Sequence, residues 1–106
     1  MELVNSINFL DKINADKGLV LVQFWSHECK ICDKASKILS NLKEIYTEKI
    51  IIYRVDAKDN ENIDLINKYE IKAIPTFLFF LNGNEEGRVR GFNHSFEIER
   101  LIRSLM

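Results

Sequence analysis

The chain has 106 residues, 46% hydrophobic and 29% charged, a balance that suits one soluble globular domain over residues 1–106 and argues against disorder. Fifteen basic residues against sixteen acidic ones leave a formal net charge of −1, so neither a nucleic acid nor an anionic membrane is expected as a partner. The start, MELVNSINFLDKI, lacks the basic and apolar blocks of an export signal, and no apolar run is long enough to span a bilayer, which places the protein in the cytoplasm.

In SINFLDKIN (6 to 14), Ile7, Leu10 and Ile13 recur at helical spacing with Asn5 or Ser6 as a cap, which predicts a short helix. GLVLVQF (18 to 24) is too short and too β-prone for anything but a strand buried on both faces. From Lys30 to Glu48, Ala35, Ile38, Leu39, Leu42, Ile45 and Tyr46 form one apolar stripe, with Lys34, Lys37, Asn41 and Lys43 opposite, the pattern of an amphipathic helix. KIIIYRVD (49 to 56) predicts a second buried strand, and 61 to 69 a short helix turning Ile63, Leu65, Ile66 and Tyr69 inward. TFLFFL (76 to 81) and GRVRGF (87 to 92) predict two strands reversing at Asn82 and Gly83. Asn93 or Ser95 then caps a last helix through Leu105, with Phe96, Leu101 and Ile102 facing the sheet.

That order implies an α/β architecture: a parallel strand pair joined by the long helix, an antiparallel hairpin beside it, and helices on both faces of a mixed sheet.

The chemistry concentrates in VQFWSHECKICDKAS, where Cys29 and Cys32 lie three residues apart as a strand passes into a helix. Side chains at i and i+3 of a helix are about 5–6 Å apart at Cβ, so the pair can bridge with little backbone movement. A sulfur at the first turn meets unpaired amides and the positive end of the helix, which favours the thiolate. Lys30 adds to that effect, while Glu28 and Asp33 oppose it. A zinc site needs four ligands, and beyond the two cysteines the chain offers only His27 and His94 as sulfur or imidazole donors. Asp33 stands where a c-type haem site needs histidine. No metal or other cofactor is expected. Two cysteines that merely fill space remain the plain alternative to redox exchange, although a reducing cytosol rarely keeps structural pairs bridged. His27 is a candidate for tuning the nearby sulfur.

LVLVQFWSHECKIC resembles the strand, tryptophan and CxxC segment of the thioredoxin family. YEIKAIPTFLFFLNGN resembles the family's segment around a cis proline, and Gly91 its glycine after the last strand. The resemblance implies the thioredoxin fold, a central mixed sheet of four to five strands flanked by about four helices. It also implies a thiol–disulfide oxidoreductase that reduces protein disulfides, is recharged by a thioredoxin reductase, and works as a monomer without a cofactor. By position, Cys29 is the nucleophile and Cys32 the resolving thiol. Pro75 is the cis proline and Trp25 a shield over the pair, while Ala73, Ile74, Gly91 and Phe92 form an apolar rim for substrates.

The departures bear on redox tuning. Glu28 replaces the family's tryptophan before the nucleophile, and Lys30 and Ile31 replace its Gly-Pro. Gln23 stands where the family buries an aspartate, and Ile52 where that aspartate's lysine partner lies. Losing both charges together is coherent, because either one buried alone costs several kcal/mol. Glutamine cannot act as a general base, so slower disulfide reduction than the family's norm is expected. A catalytically weak thioredoxin-like binding module is the alternative from another class, and a disulfide oxidase or isomerase the alternative within redox chemistry.

Overall fold

A computed structural model describes residues 1–15 and 18–106. Five strands form one mixed sheet. At its centre is β2 (Leu19–Trp25), every residue of which is buried, as its run of apolar residues, broken only by Gln23, leads one to expect. It pairs in parallel with β3 (Ile50–Asp56), setting Gln23 opposite Arg54, and antiparallel with β4 (Thr76–Leu81). The hairpin partner β5 (Asn84–Arg90) closes one edge.

The sequence reading missed one strand. β1 (Glu2–Val4) runs parallel to β3 at the other edge, with Glu2 opposite Tyr53. Only Val4 of its three residues is buried, too little for an alternating pattern to show. The hairpin strand also differs from the expected 87 to 92. It begins at Asn84, because an edge strand tolerates the exposed polar run Asn84, Glu85 and Glu86, and it ends before Gly91, whose φ of 78° leaves the extended region. Asn82 and Gly83, at φ 52° and 81°, supply the left-handed turn between the strands.

Helices cover both faces. Against one lie α2 (Lys30–Tyr46) and α4 (Phe96–Leu105), with Leu39, Leu42, Ile98 and Ile102 packed on Leu21, Ile52, Phe77 and Phe79. Against the other lie α1 (Phe9–Ala15) and α3 (Ile63–Lys68), where Phe9, Ile13 and Leu65 meet Val22, Phe24, Leu78 and Phe80. Alternate side chains along each strand point to opposite faces, and this divides the apolar strand residues between the two cores.

Several inward faces differ from those expected. In α1 the buried residues are Phe9 and Ile13, while Ile7 precedes the helix and is 81% exposed and Leu10 faces solvent. Neither Asn5 nor Ser6 caps α1: Asn5 Oδ1 accepts the backbone N–H groups of Ile7 and Asn8 at 2.9 and 3.1 Å, within the turn that precedes the helix. Ile45 is exposed near the end of α2, and the helix stops at Tyr46, two residues before the expected end, as Thr47 turns to φ 42°. Ile63 and Phe96 are exposed, each standing at the first position of its helix. Ile98 takes the place expected of Phe96, and Leu101 is half-buried. Neither Asn93 nor Ser95 caps α4 through its side chain: the Phe96 N–H goes to His94 Nδ1 at 3.1 Å, and the Ser95 hydroxyl reaches Glu99 at 3.4 Å.

Candidate active site

The segment Ser26–Cys29 connects the end of β2 to the start of α2, beside the carboxyl end of the parallel strand β3. Cys29 is the N-cap of α2, with extended dihedrals of φ −97° and ψ 101°. Its Sγ accepts the backbone N–H of Cys32 at 3.1 Å, which places the sulfur on one of the amides a helix start leaves unpaired. Cys29 and Cys32 are joined in a disulfide with their Cα atoms 5.1 Å apart. Cys29 is half-buried and Cys32 fully buried, so Cys29 is the sulfur that solvent and a partner can reach.

Cys29 opens on a cleft of about 760 Å³ lined by Ser26, His27, Glu28, Asp56, Lys58, Asp59 and Ile74. His27 Nε2 lies 3.6 Å from Asp56 Oδ2, and its ring stands edge-on to Trp25 at 4.7 Å. A smaller depression of about 170 Å³ lies on the other side of Ile74, with Ala73 and Lys72 on its wall. The Ile74–Pro75 bond is cis. The carbonyl of Pro75 accepts the Gly91 N–H at 2.7 Å, and the Thr76 hydroxyl donates to Ala73 O at 2.6 Å, so this loop is tied to both flanking segments.

The structure therefore brings Cys29, Glu28 and Ile74 to one cleft and sets Ala73 just beyond. Lys30 and Ile31 are exposed on the first turn of α2. Trp25 and Phe92 are buried. Trp25 is covered on one face by Arg54, whose guanidinium carbon is 3.7 Å from the ring centroid, and Phe92 packs on Phe77 at 6.3 Å within the core. Burial pushes the Arg54 guanidinium below its ordinary pKa, partly offset by the charge of Asp33. Its Nε has no acceptor among the described residues.

Beneath the disulfide, Gln23 is fully buried. Its Nε2 donates to the Cys32 carbonyl at 3.2 Å, and its Oε1 accepts from the Ser36 hydroxyl at 3.0 Å. Ile52, on the neighbouring strand, contributes only apolar surface to this face. Sequence reasoning had no place for Ser36 or Arg54. Their signals were a polar residue one turn after Cys32 and an arginine interrupting the apolar run IIIYRVD.

The described residues include no group of three histidine, cysteine, aspartate or glutamate side chains placed to hold a metal. No helix among them is long and apolar enough to cross a membrane.

The sequence model of the thioredoxin family matches residues 1–104. The chain belongs to the thioredoxin family. It is 33% identical to a thioredoxin of Staphylococcus aureus over 89 residues, 84% of this chain and 82% of that protein. Over 91 residues, 86% of this chain, it is 32% identical to the chloroplastic M-type thioredoxin of Pisum sativum, of which it spans 52%. Among solved structures, thioredoxin from Fasciola hepatica superposes with a TM-score of 0.88 at 24% identity over the full length of both chains, a likeness of fold. The mixed five-stranded sheet with four helices is thus the thioredoxin fold. Family membership and the bridged pair together support a thiol–disulfide oxidoreductase role.

Proposed function

We propose that the chain, acting as one domain over residues 1–106, reduces disulfides in protein substrates. The observation that carries this reading is the placement of the pair: the accessible sulfur caps a helix N-terminus and faces a cleft, and its partner lies buried within bonding distance. In the reduced protein the Cys29 thiolate attacks one sulfur of a substrate disulfide and displaces the other as a thiolate, giving a mixed disulfide. Cys32 then attacks Cys29 Sγ, the substrate leaves as its second thiolate, and the internal bridge is restored. Two electrons have passed from the pair to the substrate.

An extended substrate segment is proposed to pair with the backbone of Ile74, which lies just ahead of the first ladder residue of β4 and takes no hydrogen bond from the described residues. Ala73, Gly91 and Phe92 are proposed to border that segment, the cis Pro75 sets its direction, and Trp25 shields the pair. Glu28 and Lys30 act as opposing charges beside the attacking sulfur, and Ile31 leaves an amide where the family has proline. A thioredoxin reductase is the proposed electron donor, the cytoplasm the compartment and a monomer the working form. A pair that must be reduced after every cycle is suited to a reducing compartment.

Reduction of insulin in the presence of a thiol donor tests the reading. Turnover that Cys29→Ser abolishes is expected. Turnover no greater than that of the Cys29→Ser protein would leave a thioredoxin-like binding module, the reading that the neutral Gln23 favours.

A further inference from the structure

We propose that Ser36 is a positioning residue for the resolving step, acting through Gln23; this rests on the reading of Cys32 as the resolving thiol. The Cys32 carbonyl can only accept, so it takes the Nε2 of Gln23, at 3.2 Å. Oε1 is then left pointing at Ser36, whose hydroxyl donates to it at 3.0 Å. Ser36 lies one turn after Cys32, so the amide of Gln23 spans that turn and ties the sulfur-bearing end of α2 to the central strand. Gln23 is fully buried, and without the hydroxyl its Oε1 is an acceptor that no water reaches.

The clamp matters at one stage of the cycle. In the oxidised protein the disulfide itself holds the two sulfurs together. In the mixed disulfide that bond is gone, and the rate of release depends on how often the Cys32 sulfur stands in line with Cys29. Fixing the Cys32 backbone raises that fraction. In the step itself the Cys32 thiolate attacks Cys29 Sγ. The Cys29–Cys32 bond forms as the bond from Cys29 to the substrate sulfur breaks, and the substrate leaves as a thiolate that takes a proton from water. The proton lost by Cys32 passes to water, and Gln23 and Ser36 neither give nor take one.

Reaction of the reduced protein with Ellman's disulfide separates the stages, because attack by Cys29 releases one thionitrobenzoate and attack by Cys32 releases the other. The first depends on reagent concentration and the second does not. Ser36→Ala is expected to slow the second release by about three- to tenfold, the loss of one buried hydrogen bond, and to leave the first unchanged. The equilibrium of the pair with glutathione should shift toward the dithiol by a similar factor, and Ser36→Thr, which keeps the hydroxyl, should restore both. Alanine is the better helix former, so loss of the fold is not the expected outcome. A second release at the wild-type rate in Ser36→Ala, or equal slowing of both releases, overturns the positioning role. A wild-type protein that fails to give the second release or to reduce insulin overturns the exchange reading itself, and the clamp with it.

Discussion

Arg54 lies over Trp25, its guanidinium carbon 3.7 Å from the ring centroid, and so covers a face of the tryptophan that precedes the cysteine loop. The chain has one tryptophan, so its emission reports on this side chain alone. Arg54→Ala is expected to reduce the free energy of unfolding by about 0.5–1 kcal/mol and to make Trp25 more easily quenched by acrylamide. Arg54→Lys should fall between wild type and Arg54→Ala, keeping the charge and losing the guanidinium that covers the ring. Urea titration followed by tryptophan fluorescence reads the first effect and a quenching series the second.

Gln23→Glu keeps the acceptor for Ser36 but places a carboxylate oxygen against the Cys32 carbonyl; Ile52 beside it is apolar, and the cation opposite on β3, Arg54, has its guanidinium over Trp25. Full burial and the facing carbonyl raise the folded-state pKa of that acid above its unfolded value of about 4.3, against the opposing pull of Arg54. The protonated acid can donate to the Cys32 carbonyl, so the variant should approach wild-type stability below about pH 4. Its stability relative to wild type should fall as the pH rises, until the folded state also loses the proton. Urea midpoints of both proteins across pH 4 to 8 check this; a gap that does not widen with pH would contradict the placement of the side chain.

Phe9 is fully buried and meets the rings of Tyr69, tilted, and Phe80, edge-on, at 5.4 and 5.8 Å, whereas Ile7 and Leu10 face solvent. Phe9→Ala is expected to cost about 3–5 kcal/mol. Ile7→Ser and Leu10→Ser should each stay within about 0.5 kcal/mol of wild type in the same denaturation assay.

The same helix shows what the sequence could and could not reveal. Ile7, Leu10 and Ile13 keep a regular three-residue spacing, yet the chain is still in a turn at Ile7, so the stripe that packs is Phe9 and Ile13. Where an apolar run had no competing register, as in Leu19–Trp25, strand and burial both followed from composition. The disulfide was legible because two cysteines at i and i+3 ahead of a helix can hardly avoid each other. Ser36 and Arg54 act through contacts with residues at least 13 positions away, and a local pattern carries no trace of such a partner. The cis state of Pro75 came from the family resemblance, since nothing in the identity of Ile74 or Thr76 specifies it.

The most direct test of the central claim is the pH dependence of Cys29 alkylation by iodoacetamide in the reduced protein, read by mass spectrometry of the cysteine peptide. With Sγ capping α2 and facing the Cys32 N–H at 3.1 Å, half-maximal reactivity is expected at a pH below the value of about 8.5 for a free thiol. A rate that follows free cysteine across the whole range would contradict a thiolate held by the helix terminus.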